Sequence, residues 1–251
     1  MTVVRTERVG HVLVARIERE EKRNAINEEI TLGIDAALNT LDDDSDLWVG
    51  ILTGTAKVFS AGTDLTGTMP TSARGGEYGI IRRERAKPLI AAVEGFAVGG
   101  GFEIVLACDL VVASRTATFG LPEVKRGLIP TCGGLFRGPR ALPLNLAREM
   151  MLTGDSIDAA RGYDVGLVNA VTEPGGALAG ALALAERICA CGPNVVRISM
   201  SAVNDVIAAD DAEDWDATAR ATHAMVAAPD KDEGMRAFFE KRPPNWELVQ
   251  G

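Results

Sequence analysis

The sequence predicts an α/β core followed by an all-helical tail. Strand-like and helix-like patterns alternate over roughly the first 170 residues, the order that lays helices against a mostly parallel sheet, and after residue 177 strand patterns stop. The composition fits such a core: 47% of residues are hydrophobic but only 5% aromatic, so the interior must be packed from Ala, Val, Leu and Ile.

Residues 3–8 and 11–17 flank Gly10 and read as a hairpin. Residues 27–41 carry Ile30, Ile34, Ala37, Leu38 and Leu41 at helical spacing, with Asn27 as candidate N-cap and Asp42-Asp43-Asp44 as the expected end. A short buried strand is predicted over 48–53. Residues 63–83 are polar, contain Gly75-Gly76, and read as a mobile loop with a short helix. Strand 89–93, helix 100–107 and strand 110–113 follow, then helices over 141–152 and 158–165 and a strand over 167–171. Residues 177–239 are helical throughout, and no repeat of fixed period is present. The expected division is a core, 1–195, and a helical region, 196–251.

Charge and composition exclude several classes of function. A net charge of −9 disfavours nucleic acid, which demands a basic face. Two local basic clusters, Lys22-Arg23 and Arg82-Arg83-Glu84-Arg85-Ala86-Lys87, are either solvated faces or a site for a small polyanion. The N-terminus lacks an apolar signal core. The most apolar stretch, 88–114, is interrupted by Glu94, Glu103 and Asp109, so it reads as buried core rather than a membrane span. A cytoplasmic protein is expected. Four cysteines form no Cys-x-x-Cys pair and the only histidines are His11 and His223, so no metal site is expected. Two of the cysteines lie in apolar runs and read as small buried hydrophobes.

The motif that most needs a reason is Val98-Gly99-Gly100-Gly101-Phe102-Glu103. Three glycines in an apolar run cost conformational entropy. Either a tight packing contact or backbone N–H groups approaching a ligand at a helix start explains them. Glu103 then sits in apolar surroundings, and a second lone carboxylate, Glu123, follows in Phe119-Gly120-Leu121-Pro122-Glu123. Two carboxylates beside oriented N–H groups suit acid–base chemistry on a polarised carbonyl, with an Arg-paired structural role as the alternative for each. The turn over 53–65 follows a strand and can also expose N–H groups, or be a plain surface turn. A dinucleotide fingerprint is not met, since Ile104 stands where its third glycine belongs. There is no Gly-Lys-[Ser/Thr] loop, and Ser60 lacks the first glycine of a nucleophile elbow.

The order and spacing of these pieces resemble the enoyl-CoA hydratase/isomerase (crotonase) family over nearly the whole chain. The matching stretches are Arg19-Glu20-Glu21-Lys22-Arg23-Asn24-Ala25-Ile26-Asn27, Leu52-Thr53-Gly54 and Phe59-Ser60-Ala61-Gly62-Thr63-Asp64-Leu65. They continue through Ala91-Ala92-Val93-Glu94-Gly95-Phe96-Ala97-Val98-Gly99-Gly100-Gly101, Cys108-Asp109-Leu110, the Leu-Pro-Glu run at Glu123, Leu152-Thr153-Gly154 and Gly166-Leu167-Val168. The last is Gly234-Met235-Arg236-Ala237-Phe238-Phe239-Glu240-Lys241-Arg242.

The resemblance implies a crotonase-like spiral of ββα turns with a C-terminal helical trimerisation region, assembled as a homotrimer or a dimer of trimers. It implies an acyl-CoA thioester as substrate and no cofactor beyond that coenzyme A. The backbone N–H groups of Thr63 and Gly100 would form an oxyanion hole, and Glu103 and Glu123 the catalytic pair. Lys22, Arg23, Ala25, Ala61, Asp64 and Leu65 would line the CoA channel, with Lys241 reaching the phosphates of a neighbouring subunit's ligand. The implied activity is that of an enoyl-CoA hydratase in lipid metabolism. A Δ3–Δ2 enoyl-CoA isomerase, a carnitinyl-CoA dehydratase-like member and a non-catalytic CoA-binding protein are the alternatives. Thr131-Cys132-Gly133-Gly134 departs from the Gly-x-Gly-Gly common in the family, so the pocket wall differs there.

Overall fold

A computed structural model describes residues 3–246. The chain opens with the expected hairpin, β1 (Val4–Val9) antiparallel to β2 (Val12–Ile17), turned at Gly10. Helix α1 (Glu28–Asp43) starts where Asn27 accepts a hydrogen bond from Ile30 N at 3.1 Å, and it buries the predicted Ile30, Ile34, Ala37, Leu38 and Leu41. It ends at Asp43, within the expected triplet Asp42-Asp43-Asp44. Acidic residues at a helix C-terminus oppose the macrodipole, but here cations offset them. Arg83 bridges Asp42 at 2.8 Å, Arg74 bridges Asp43 at 2.9 Å, and Lys87 Nζ donates to the carbonyls of Leu41 and Asp44.

Strand β3 (Val49–Thr53) is buried along its whole length, as a parallel strand covered on both faces must be. The following loop holds only the two-residue strands β4 (Thr71–Ser72) and β5 (Gly76–Glu77). The helix expected within 63–83 is absent. Tyr78, Ile80 and Ile81 are buried, so this segment is anchored into the core despite its polar composition. Then come β6 (Leu89–Val93), β7 (Phe96–Val98), α2 (Gly100–Leu106), β8 (Leu110–Ser114) and β9 (Thr118–Gly120). Helices α3 (Gly134–Ala141) and α4 (Leu144–Thr153) replace the single helix expected over 141–152. Strand β10 (Ser156–Asp158), helix α5 (Ala159–Asp164) and strand β11 (Ala170–Thr172) complete the core. The expected strand at 167–171 is shifted, because Leu167 and Val168 are buried as core residues ahead of it.

The main sheet has the order β1-β2-β3-β6-β8-β11 and is parallel beyond β2. A second sheet, β10-β9-β7, stands beside it, and a bridge from Ser60 to Ala97 extends its pattern to the loop after β3. Each turn therefore sends one strand to the large sheet and the next to the small one, the spiral that the family resemblance implies.

Helix α6 (Ala177–Cys189) packs Ala177, Ala181 and Ala185 on the far face of β3, β6 and β8, where small side chains allow close approach. Glu94 at the end of β6 accepts a hydrogen bond from Ala177 N at 2.9 Å and caps this helix. The tail is α7 (Pro193–Ile207), α8 (Asp211–Ala227) and α9 (Pro229–Glu240). The division expected after residue 195 falls inside α7, and residues 247–251 lie outside the described residues. Helix α8 docks on α3 through an edge-to-face Phe136–Trp215 pair and through Arg140 to Asp211 and Asp214. Helix α9 packs on the 3-10 turn Pro122–Arg126. Among the described residues no helix is long and apolar enough to cross a membrane.

Candidate active site

Two segments far apart in sequence are stitched together at the end of β3. Ala61 N donates to Arg23 O, Ile26 N to Gly62 O at 2.8 Å, and Asp64 N to Ile26 O. The staple is Asn24, fully buried and in the left-handed region at φ 52°. Its Nδ2 faces the carbonyls of Ile17, Val58 and Phe59, and its Oδ1 accepts from Arg19 N at 2.8 Å. Replacing it strands several buried polar groups at once. Asn24→Ala is expected to destabilise the protein by about 3 kcal/mol, lowering Tm by roughly 6–12 °C in a chain of this size. A thermal melt within 2 °C of the parent (a shift of about 0.5 kcal/mol) would remove this role.

The glycine triplet now has structural causes. A Cβ at Gly99 would lie 3.3 Å from Glu123 Oε1, one at Gly100 2.7 Å from the Tyr78 hydroxyl, and one at Gly101 2.6 Å from Ser60 O. At Gly100 and Gly101 the neighbours leave no room for a side chain, and at Gly99 the backbone is in the left-handed region at φ 56°. Gly100 is the first residue of α2, so its N–H has no helical partner. Across from it, a Cβ at Gly62 would stand 3.0 Å from Gly100 N, which puts the loop carrying Thr63 against the start of α2. Neither Thr63 N nor Gly100 N donates to a backbone carbonyl among the described residues.

Glu103 lies one turn into α2, 2% exposed. Its Oε1 accepts from Cys132 N at 2.7 Å and Gly134 N at 3.0 Å, the latter opening α3. Glu123, on the turn Pro122–Arg126, reaches over Gly99, and its Oε2 is sealed from solvent with no hydrogen-bond partner. The two carboxyls therefore bracket the first turn of α2.

Burial is the main cause that raises both carboxyls, Glu103 to about 7 and Glu123 to about 8. The charge of Glu103 raises Glu123 further, while the two N–H donors and Arg137 pull Glu103 back down. The two N–H donors on Oε1 favour the ionised form at Glu103, whereas burial and the charge of Glu103 favour the protonated form at Glu123, whose Oε2 has no donor.

A carboxyl held above its unfolded value binds its proton more tightly in the folded state. Its contribution to stability is full below the ordinary glutamate value of about 4.3 and is lost as pH rises through the folded values. Between pH 6 and 9 the parent protein is therefore expected to lose more Tm than Glu123→Gln, by differential scanning calorimetry. Parallel declines would contradict it.

Lys22 ends a 3-10 turn and Arg23 follows at φ 53°, both exposed, with Ala25, Ala61 and Leu65 half-buried on the stitched segments. The Asp64 carboxylate is engaged by the Thr66 hydroxyl at 2.6 Å and by Arg19 at 2.8 Å, which hold it down to about 2. Lys241 ends α9, whose body packs on the turn bearing Glu123.

The basic cluster after residue 81 is largely consumed by structure. Arg83 pairs with Asp35 and Asp42, Arg85 with Asp109, and Lys87 caps α1. A cleft of 200 Å³ lined by Trp48, Lys87 and Arg197 lies at the opposite end of the strands. Among the described residues no group of three or more His, Cys, Asp or Glu is placed to hold a metal ion.

Two residues at the site were not anticipated. Tyr78, one of only two tyrosines, packs over Gly100, and its setting among Gly75, Gly76 and Gly79 was the available signal. Arg137 donates to Ile81 O at 2.8 Å, while its buried Nη1 has no partner.

The family model described as enoyl-CoA hydratase/isomerase matches residues 7–248. The mevalonyl-coenzyme A hydratase of Aspergillus fumigatus is 38% identical over 252 residues, covering 94% of this chain and 91% of that protein. A probable enoyl-CoA hydratase of Mycobacterium tuberculosis is 35% identical, covering 97% of this chain and 96% of that protein. The solved structure of a carnitinyl-CoA dehydratase from Mycobacterium avium superposes with a TM-score of 0.93 at 42% identity, covering 99% of this chain and 100% of that one.

Proposed function

The chain belongs to the enoyl-CoA hydratase/isomerase family, and from that premise we propose that it is an enoyl-CoA hydratase, adding water reversibly to a trans-2-enoyl-CoA to give a 3-hydroxyacyl-CoA. The observation that carries this reading is the pair of buried carboxyls, Glu103 holding two backbone N–H donors and Glu123 with an unpartnered Oε2, that flank the free N–H of Gly100. Ionised Glu103 takes a proton from water attacking C3. Protonated Glu123 delivers its proton to C2. The N–H groups of Thr63 and Gly100 donate hydrogen bonds to the thioester oxygen and stabilise the negative charge it gathers between these events. The reaction draws on no cofactor beyond the substrate's coenzyme A, whose phosphates we assign to Lys22, Arg23 and a neighbour's Lys241.

This assignment has a pH signature. kcat/KM rises as the pair loses its first proton and falls as it loses its second, a bell centred between about 7 and about 8. A profile flat from pH 6 to 9 would contradict it. Assembly as a homotrimer or a dimer of trimers is supported by α7, which buries none of its residues and leaves Val195, Ile198, Val203, Val206 and Ile207 exposed.

The decisive experiment is a panel of trans-2-enoyl-CoA thioesters with alkyl and hydroxyl-bearing acyl groups, followed by loss of the conjugated absorbance. Turnover of at least one supports the hydratase. CoA binding without turnover of any would favour a non-catalytic CoA-binding protein. The likeness to mevalonyl- and carnitinyl-CoA enzymes makes the polar acyl groups a necessary half of that panel.

A further inference from the structure

Tyr78 is held at φ 55°, a conformation that costs an aromatic residue about 1–2 kcal/mol. The surrounding fold maintains it, with the ring 1% exposed. The phenol oxygen lies 2.7 Å from Thr63 Oγ1 and the same distance from where a Cβ on Gly100 would stand. The two residues assigned to the oxyanion hole are therefore linked by one hydroxyl pair.

Hydrogen-bond accounting leaves something over. Each hydroxyl brings one proton, and the bond between them uses one. Neither oxygen makes another side-chain hydrogen bond within the usual distance among the described residues, and the neighbouring Cys132 sulfur is only a weak acceptor. One O–H proton thus remains available beside the two backbone donors. Burial raises the phenol well above its ordinary value, so it stays a donor throughout the working range.

We infer that the Tyr78–Thr63 hydroxyl pair supplies a third hydrogen bond to the thioester oxygen as it gains negative charge. This rests on the hydratase reading for its substrate, but its test separates the two.

Tyr78→Phe removes only the phenol oxygen, and Thr63→Val only the threonine hydroxyl. Each should lower kcat by roughly tenfold with KM within about twofold, as for a hydrogen bond to a developing charge. Because the pair acts as a relay, the double variant should be no slower than the slower single. An independent readout is the absorbance of a bound cinnamoyl-CoA thioester, which moves to the red when its carbonyl is polarised; both variants should show a smaller shift. That measurement needs binding but no turnover, so it tests the pair even if the hydratase reading fails. Tyr78→Phe with the parent's red shift overturns the proposal. So does a double variant whose loss is the product of the singles. If Tyr78→Phe retains full kcat while Glu103→Gln is inactive, the third donor falls and the hydratase stands.

Discussion

Glu103→Gln is expected to hydrate a trans-2-enoyl-CoA at least ~100-fold more slowly than the parent, and Glu123→Gln to lose activity on the same order, with KM little changed. The substitutions are close to isosteric. In Glu103→Gln the amide oxygen can still accept from Cys132 N and Gly134 N, so the loop and the start of α3 keep their anchor. On the proposed mechanism, what is lost is the basicity that would take a proton from water. In Glu123→Gln the lost group is the acidic proton that burial keeps in place; the Oε2 position had no partner to lose. Both variants should therefore melt as cooperatively as the parent, and their defect should lie in kcat. Full hydration by Glu103→Gln would refute the two-carboxylate mechanism.

The second large effect is expected at a residue with no side chain. Gly62 has φ 89°, and a Cβ there would stand 2.8 Å from Val98 O and 3.0 Å from Gly100 N. Both are backbone atoms and cannot rotate aside. Gly62→Ala must push the loop carrying Thr63 away from the start of α2, separating the two N–H donors. Misplacing one such donor costs about 3 kcal/mol, on the order of a hundredfold in kcat. Gly67→Ala is the control. It lies on the same loop, outside the positive-φ set, with nothing within 4 Å of its added Cβ, so activity should be unchanged. Equal rates for the two variants would mean that the spacing of these loops does not govern catalysis.

The sequence made α1 legible because capping and burial both act locally: Asn27 and the apolar stripe lie within one helix. The short strands β7, β9 and β10 escaped because three residues are too few to show a period. Helix α3 escaped because it contains Gly138 and Pro139, residues that argue against a helix, and is held by Phe136 packing on Trp215 from far along the chain. The glycine triplet marked Glu103 as a site candidate in the sequence, but the role of Glu94, a carboxylate in the same apolar stretch, was not legible: it caps α6, more than eighty residues on. The reason for glycine at position 100 was half legible. A free N–H was foreseen, but the Tyr78 phenol occupying the space of a side chain was not, since nothing local links residues 78 and 100.

The central claim is that the pair adds water across a conjugated double bond. The most direct measurement is proton NMR of crotonyl-CoA incubated with the enzyme in D2O. The account predicts a 3-hydroxybutyryl-CoA carrying a single deuterium at C2, formed by wild type and lost together in Glu103→Gln and Glu123→Gln. Deuterium exchange or double-bond migration without a hydroxylated product would contradict it.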